Sequence, residues 1–271
     1  TDTVITTKTR AICRVPLVGC LEKAKEYKSL ASEWESINDE QRDFLRHVRL
    51  ASELKNFNKE EFDSIAADNA TIINKWLSDN GFTLTCPEVQ PGDFATASFV
   101  KMFVKWIKDG DKTVICNADS QYPAVSFNNE IGKNIHHMGA NWGVACLSTK
   151  EDNTKVYCAM RTDADTDFDA ISEEHLVDLA AALESNYTSA PKSYEGVNVP
   201  MLDMDIDVEQ NWICGINNSG WSVSTCIQQF ILKFNEKGAT AKSAAVMLIK
   251  RAMVMPSYQK LVFNKPFLLW F

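Results

Sequence analysis

The 271-residue chain is 45% apolar and carries 28 Lys and Arg against 36 Asp and Glu, a formal net charge of −8. That apolar content supports a packed core of about one large domain and excludes global disorder. An acidic chain with no basic stripe excludes nucleic acid and anionic membrane as partners, and no apolar run approaches the roughly 18 residues needed to span a bilayer.

The chain opens on Thr1, with no charged n-region or apolar h-region, so a leader is expected to have been removed or the chain trimmed. Cys13, Cys20, Cys86, Cys116, Cys146, Cys158, Cys214 and Cys226 form no C-x-x-C pair, which excludes a zinc ribbon or a thioredoxin-type motif. They read either as core thiols or as two or three disulfides of an exported protein. Three sequons, at Asn69, Asn186 and Asn217, permit glycosylation on export.

Leu21, Leu30, Trp34, Ile37, Phe44, Leu45, Val48 and Leu54 follow a rough 3.6-residue period, which predicts helix over 21–55 with a break near Asn38-Asp39. A short helix is expected from Asn69 to Leu77, ending near Asn80-Gly81. Phe94 to Ile107 is strand-like and stops at the turn Lys108 to Asp111. Further strands are predicted at 112–117, 122–127, 142–148 and 154–161, the last two joined through Lys150 to Asn153. Ser172 to Ser185 reads as an amphipathic helix with Ser172 as N-cap and Glu173 and Glu174 in the first turn, where the helix dipole favours them. Val197 to Val208 alternates as a half-buried strand does, residues 225–235 form another strand, and the chain closes on apolar Leu261 to Phe271. Helices first and sheets later make a single α+β domain over 1–271.

Conventional catalytic signatures are missing: no G-x-S-x-G, Walker loop, H-E-x-x-H or G-x-G-x-x-G occurs. His136-His137 reads as a surface turn or strand pair without further metal ligands. Asp203, Asp205 and Asp207 share one strand face and read as solvated surface. Neither a metal nor a cofactor is implied, and the chain is not expected to be an enzyme.

The informative stretch is Phe234 to Ile249, "FNEKGATAKSAAVMLI". Charge stops after Lys237, and small residues follow, broken only by Lys242. As a strand, Ala239, Ala241, Ser243 and Ala245 share one face, while Thr240, Lys242, Ala244 and Val246 share the other. A face of tiny residues suits a strand that must enter an existing sheet over a filled core, where each misfit side chain would cost roughly 1–3 kcal/mol. As a helix the run would have no wide apolar stripe and would rest on propensity alone.

"NEKGATAKSAA" resembles the hinge of the serpin reactive-centre loop, which typically reads Glu-x-Gly-Thr-Glu-Ala-Ala-Ala, and "FNKPFLLWF" resembles the strand after that loop. Upstream, "IINKWLSDNGFT", "FVKMFVKW", "DNTKVYCAM" and "VNVPMLDMDID" resemble further serpin elements in the serpin order. The resemblance implies a serpin-like α+β fold, with early helices around a large central sheet, a second sheet, and an exposed reactive-centre loop at 238–257. It implies a hinge at Glu236, Gly238, Ala239, Thr240, Ala241, Ser243 and Ala245. Trp106 would lie beneath the loop's entry point, and Gln228 and Ser98 would stand where serpins have His and Asn behind the sheet. Val104 stands at a serpin Gly, Ala239 at the hinge Thr and Lys242 at an Ala. The chain is shorter than a usual serpin and stops before the strand that normally pairs with "PFLLWF", which implies either a natural minimal form, of the type of the pruned serpins of large DNA viruses, or a sequence from which residues are omitted.

The implied activity is suicide-substrate inhibition: a protease cuts the loop, forms an acyl-enzyme, and the freed arm inserts into the sheet. Family spacing of about sixteen or seventeen residues, counted from Glu236 inclusive, lands on Arg251 or Ala252, with Met253 beyond. Arg251 would suit a trypsin-like target and Ala252 an elastase-like one. A non-inhibitory serpin-fold protein that binds another protein is the alternative. A monomeric, secreted or extracellular protein is expected, with an intracellular location as the alternative.

Overall fold

The computed structural model describes residues 10–48, 58–117, 120–128, 135–138, 141–151, 154–187, 194–242 and 260–271. Two helices come first, α1 (Val15–Tyr27) and α2 (Asp39–Val48). Strand β1 (Phe62–Ala67), helix α3 (Ala70–Asp79), β2 (Ala95–Val100) and β3 (Met102–Lys105) follow. Next come β4 (Asp111–Asn117), β5 (Ser120–Asn128), β6 (Ile135–Met138), β7 (Trp142–Ser148) and β8 (Lys155–Arg161). Helix α4 (Glu173–Asn186) precedes β9 (Gly196–Pro200), β10 (Leu202–Glu209), β11 (Asn217–Asn218) and β12 (Trp221–Ser222). The described chain closes on β13 (Ile227–Phe234), β14 (Gly238–Lys242), β15 (Lys260–Val262) and β16 (Phe267–Trp270).

The chain divides into two compact units, each discontinuous in sequence. The first comprises Thr1–Ile12, Phe103–Met204 and Leu232–Phe271; the second comprises Cys13–Met102 and Asp205–Ile231.

In the first unit, one sheet has the order β15-β9-β5-β4 and another the order β16-β8-β7-β6. The hairpin β4–β5 pairs Asp111 with Ser126 through Asn117 with Ser120, and β7–β8 pairs Trp142 with Arg161 through Ser148 with Lys155. Val144, Cys146, Tyr157 and Ala159 bury one face of β7–β8 against Leu176, Ala180 and Leu183 of α4. Helix α4 starts where expected, because the Ser172 hydroxyl accepts from the His175 amide and satisfies an otherwise orphan donor. Trp270 stacks on Tyr157 at 5.3 Å and donates to Glu184, which locks β16 against that core.

In the second unit, Leu17, Val18, Leu21 and Ala24 of α1 pack with Trp34, Phe44, Ile213 and Ile216. Of the two helices expected over 21–55, the first is corrected at both ends, since α1 already starts at Val15, with a favourable first-turn Pro16, and stops at Tyr27, whereas α2 starts at the expected break. Ser29 takes a left-handed φ of 52° and breaks α1. Trp34 then serves no helical stripe; its Nε1 donates to the Leu21 carbonyl and folds the following segment back on α1. Asn69 caps α3 by accepting from the Thr71 amide, and Ile73 and Leu77 bury against Ala97 and Phe99 of β2.

A further four-stranded sheet has the order β10-β13-β14-β3. The single strand expected over 197–208 is two strands in two sheets, β9 beside β5 and β10 beside β13. Asp203, Asp205 and Asp207 are exposed on β10, as expected of a solvated face. His136 and His137 lie on β6, opposite Val144 and Gly143.

Candidate functional site

Residues 235–242 meet the end of β3 inside the first unit. The segment Asn235 to Gly238 is a tight turn: the Asn235 side-chain oxygen accepts from the amides of Lys237 (2.9 Å) and Gly238 (3.2 Å). The Asn235 amide donates to the Gly238 carbonyl at 3.0 Å. This Asx geometry satisfies backbone donors that the strand ladder leaves unpaired. It turns the chain from β13 into β14, which runs between β13 and β3.

Trp106 anchors this turn. It is 2% exposed; its Nε1 donates to the Asn235 carbonyl at 2.8 Å and its amide to the Lys237 carbonyl at 3.0 Å. Its ring packs against Phe127 and Phe234 at 5.5 and 5.2 Å between centroids. The indole thus gives a large buried surface and a directed donor at the same spot. From the other side the Gly110 amide donates to the Glu236 carbonyl at 2.7 Å, and Lys112 sits 3.5 Å from the Glu236 carboxylate.

Gly238 is where β14 comes closest to β3. A Cβ there would stand 2.1 Å from the Val104 carbonyl oxygen and 3.2 Å from the Lys105 Cα. Ala239, next along, is 1% exposed. Both positions therefore demand small residues for steric reasons. Thr240 and Ala241 continue β14. Ser243, Ala245 and the expected scissile residues Arg251, Ala252 and Met253 lie outside the described residues. The expected exposed loop from residue 238 onward thus begins as a sheet strand over Gly238–Lys242.

A hydrogen bond from its own backbone amide, helped by Lys112, holds the Glu236 carboxyl below its ordinary value. A depressed folded value stabilises the fold above the unfolded value of about 4.3, and that contribution is lost as pH falls through the lower folded value. Melting temperature measured from pH 6 down to pH 3 is expected to fall less steeply in Glu236→Gln than in the parent chain. Superimposable slopes would show that the Lys112 contact contributes nothing.

Gln228 and Ser98 belong to the second unit. Gln228 is 5% exposed; its Nε2 donates to the Cys13 carbonyl at 2.8 Å and its Oε1 accepts from Gln210 at 2.9 Å. Gln210 Oε1 in turn accepts from Trp212 Nε1 at 2.9 Å. Each amide group in this chain has its partner, which a buried polar network requires. Gln228→Leu keeps the volume and strands the Cys13 carbonyl and the Gln210 amide, so a loss of about 1–3 kcal/mol is expected in urea unfolding. The Ser98 hydroxyl donates to the Asp63 carbonyl and lies 2.2 Å from where a Cβ on Gly19 would stand, so it marks the close approach of α1 to β2.

Sequence reasoning missed Asn235, Gln210, Gly110 and Gly19. Only Asn235 carried a local signal, since Asn three residues before Gly is a turn pattern. Of the sequon residues, Asn69 and Asn186 are exposed, whereas Asn217 is half-buried and its side-chain amide donates to the Gly215 carbonyl. Among the described residues, no group of three or more His, Cys, Asp or Glu is placed to hold a metal. What the geometry offers is mechanical: a strand that begins with small residues held between two others.

No family model matches the sequence, and no curated protein matches it. Solved structures do match. The loop-inserted structure of a cleaved ovalbumin mutant aligns at 11% identity over 97% of this chain and 89% of that one, with a TM-score of 0.58. The latent state of tengpin, a thermophilic serpin, aligns at 9% identity over 94% and 87%, with a TM-score of 0.57. The native state of tengpin aligns at 9% identity over 98% and 85%, with a TM-score of 0.55.

Proposed function

The chain has the serpin fold, and from that premise we propose that it is a serpin-type inhibitor that traps a serine protease by loop cleavage and strand insertion. One observation carries this reading: β14 lies between β13 and β3, with Gly238 against the Val104 carbonyl and Ala239 buried. A segment of small residues is accommodated where an inserting strand must go. The solved ovalbumin mutant supports it as a loop-inserted relative in fold. In this reading the whole chain is one serpin-like domain with its reactive-centre loop at 238–257, a protease cuts at Arg251 or Ala252, and the arm bearing Ser243 and Ala245 extends β14. The protein is a binder of a protease and has no catalysis of its own.

The test is incubation with trypsin and with elastase. A covalent complex that survives denaturing electrophoresis is expected with one of them, together with a rise in melting temperature of the cleaved chain. Cleavage within 249–255 with neither complex nor heat resistance overturns inhibition and leaves the second reading, a serpin-fold protein that binds a partner without trapping it. That reading draws on the same strand: β14 occupies its slot in the uncleaved chain, and Val104 stands where the serpin pattern has Gly.

Secretion fits the glycosylation sequons. Among the described residues no helix is long and apolar enough to cross a membrane. On expression through a secretory pathway, glycans are expected on Asn69 and Asn186. Asn217 is expected to stay bare, because it is half-buried and pairs with Ser222 in the β11–β12 hairpin, whereas Asn69 and Asn186 are exposed. Enzymatic deglycosylation followed by peptide mass mapping reads this; a glycan on Asn217 would contradict it.

A further inference from the structure

All eight cysteines fall among the described residues, and all are thiols. Cys20, Cys214 and Cys226 belong to the second unit. Burial, helped by the neighbouring Cys20 and Cys214, pushes the Cys226 thiol up to about 12. The backbone around two of them is closely defined. The Gln210 amide donates to the Cys226 carbonyl at 2.8 Å, and the Gly215 amide to the Val223 carbonyl at 2.8 Å. The Val223 amide donates to the Ile216 carbonyl, and Asn217 pairs with Ser222. Segment 210–217 therefore lies bonded along segment 222–226, with Cys214 between two of the anchoring residues. The Cys214 sulfur itself sits 3.3 Å from the Ser224 carbonyl, so it faces the segment that carries Cys226. Directly facing positions on paired segments fall in the Cα separation of about 4.4–6.8 Å that a disulfide needs, and diagonal ones lie at about 7–8 Å, so closure between Cys214 and Cys226 draws the two segments slightly together. Cys20 sits instead on α1, and its thiol hydrogen-bonds Thr96.

We propose that Cys214 and Cys226 are a redox pair that closes to a disulfide when the chain meets an oxidising, disulfide-containing compartment. In the first step the Cys214 thiolate attacks one sulfur of a small-molecule disulfide; that S–S bond breaks, and one small thiol leaves. In the second step Cys226 loses its proton to solvent and attacks the Cys214 sulfur of the mixed disulfide, and the second small thiol leaves. Two protein thiols are oxidised and one small disulfide is reduced to two thiols. Because Cys226 is poorly ionised at neutral pH, closure is slow there and accelerates as pH rises toward 10. The bond would staple the β11–β12 hairpin to the start of β13, two segments otherwise held by a few hydrogen bonds. This inference is independent of any protease and rests only on the second unit.

The experiment treats the full-length reduced protein with oxidised glutathione at pH 7.5 and 9.5, blocks free thiols by alkylation, and maps peptides by mass without reduction. The expected result is a cross-linked peptide joining Cys214 to Cys226, a thiol count lower by two, and faster closure at the higher pH. Cys214→Ser and Cys226→Ser should each abolish the loss of two thiols, while Cys20→Ser should preserve it. A cross-link of Cys20 to Cys226, or eight alkylated thiols after treatment, would overturn the proposal. Circular dichroism of each variant before oxidation separates a missing bond from a misfolded chain.

Discussion

Replacing Trp106 by alanine is expected to cost about 3–5 kcal/mol of stability, the range for truncating a buried Trp, and to release β14 from its sheet. Two effects add. The cavity would open beside Phe127 and Phe234, which pack on the indole and on each other. The Asn235 carbonyl would also lose the Nε1 donor that fixes the turn. Trp106→Phe separates them, since it keeps most of the apolar volume and loses only the donor; about 1–3 kcal/mol is expected there. Urea unfolding supplies both numbers, and amide hydrogen exchange over 238–242 reports whether β14 has left. If Trp106→Ala unfolds at the parent's urea midpoint, or if the β14 amides stay protected, Trp106 is not the anchor described here.

Gly238→Leu is expected to expel β14 from its slot without unfolding the rest of the chain. The obstacle is backbone: the Val104 carbonyl oxygen stands 2.1 Å from the new Cβ, and no rotamer change can move it aside. Overpacking of this kind costs typically 1–3 kcal/mol, comparable with the hydrogen bonds that hold five strand residues. Because the clash is with backbone that β3 cannot rotate aside, release of β14 is the expected response. Amide exchange should become fast over 238–242, while tryptophan fluorescence, to which Trp106 contributes, changes little. Under the inhibitor reading, the yield of denaturant-stable protease complex should fall and the cleaved, uncomplexed product should rise. Continued protection of the Ala239 amide would show that β3 yields instead.

The two substitutions probe different links. Trp106 acts on the turn that leads into β14, and Gly238 acts on the fit of β14 against β3. A chain that tolerates Gly238→Leu but fails with Trp106→Ala would place the determinant in the turn and not in the small-residue strand.

Much of the local structure was legible because its causes are local. Ser172 with its two following glutamates predicted the start of α4, since capping and dipole act within one turn. The strands expected at 142–148 and 154–161, joined through Lys150 to Asn153, are the paired β7 and β8, because a hairpin's partner is its sequence neighbour. The small residues from Gly238 onward pointed to a strand, and Gly238–Lys242 is one. The serpin likeness of the hinge led in the same direction as the fold match.

Other features depended on partners distant in sequence. The run 197–208 alternates throughout, yet it divides at Met201, whose amide donates to the Pro123 carbonyl. Period alone carries no mark of which sheet a strand will join. Gln228 looked like a lost serpin histidine, but its meaning comes from Gln210 and the Cys13 carbonyl, which are remote or backbone groups. Gly110 and Gly19 gave no sign of their role, since close approach is a property of two chains and not of one residue.

By itself, then, the sequence determined where α3, α4, β4, β5, β7 and β8 would form, which residues could cap the helices, and that a slim strand could start at Gly238. Tertiary structure alone decided which strands share a sheet, that the slim tract begins inside one, and that Asn235 and Trp106 hold its entrance. The division follows from range: propensity, capping and alternation act over a few residues, whereas burial and hydrogen-bond satisfaction are settled only when distant segments meet.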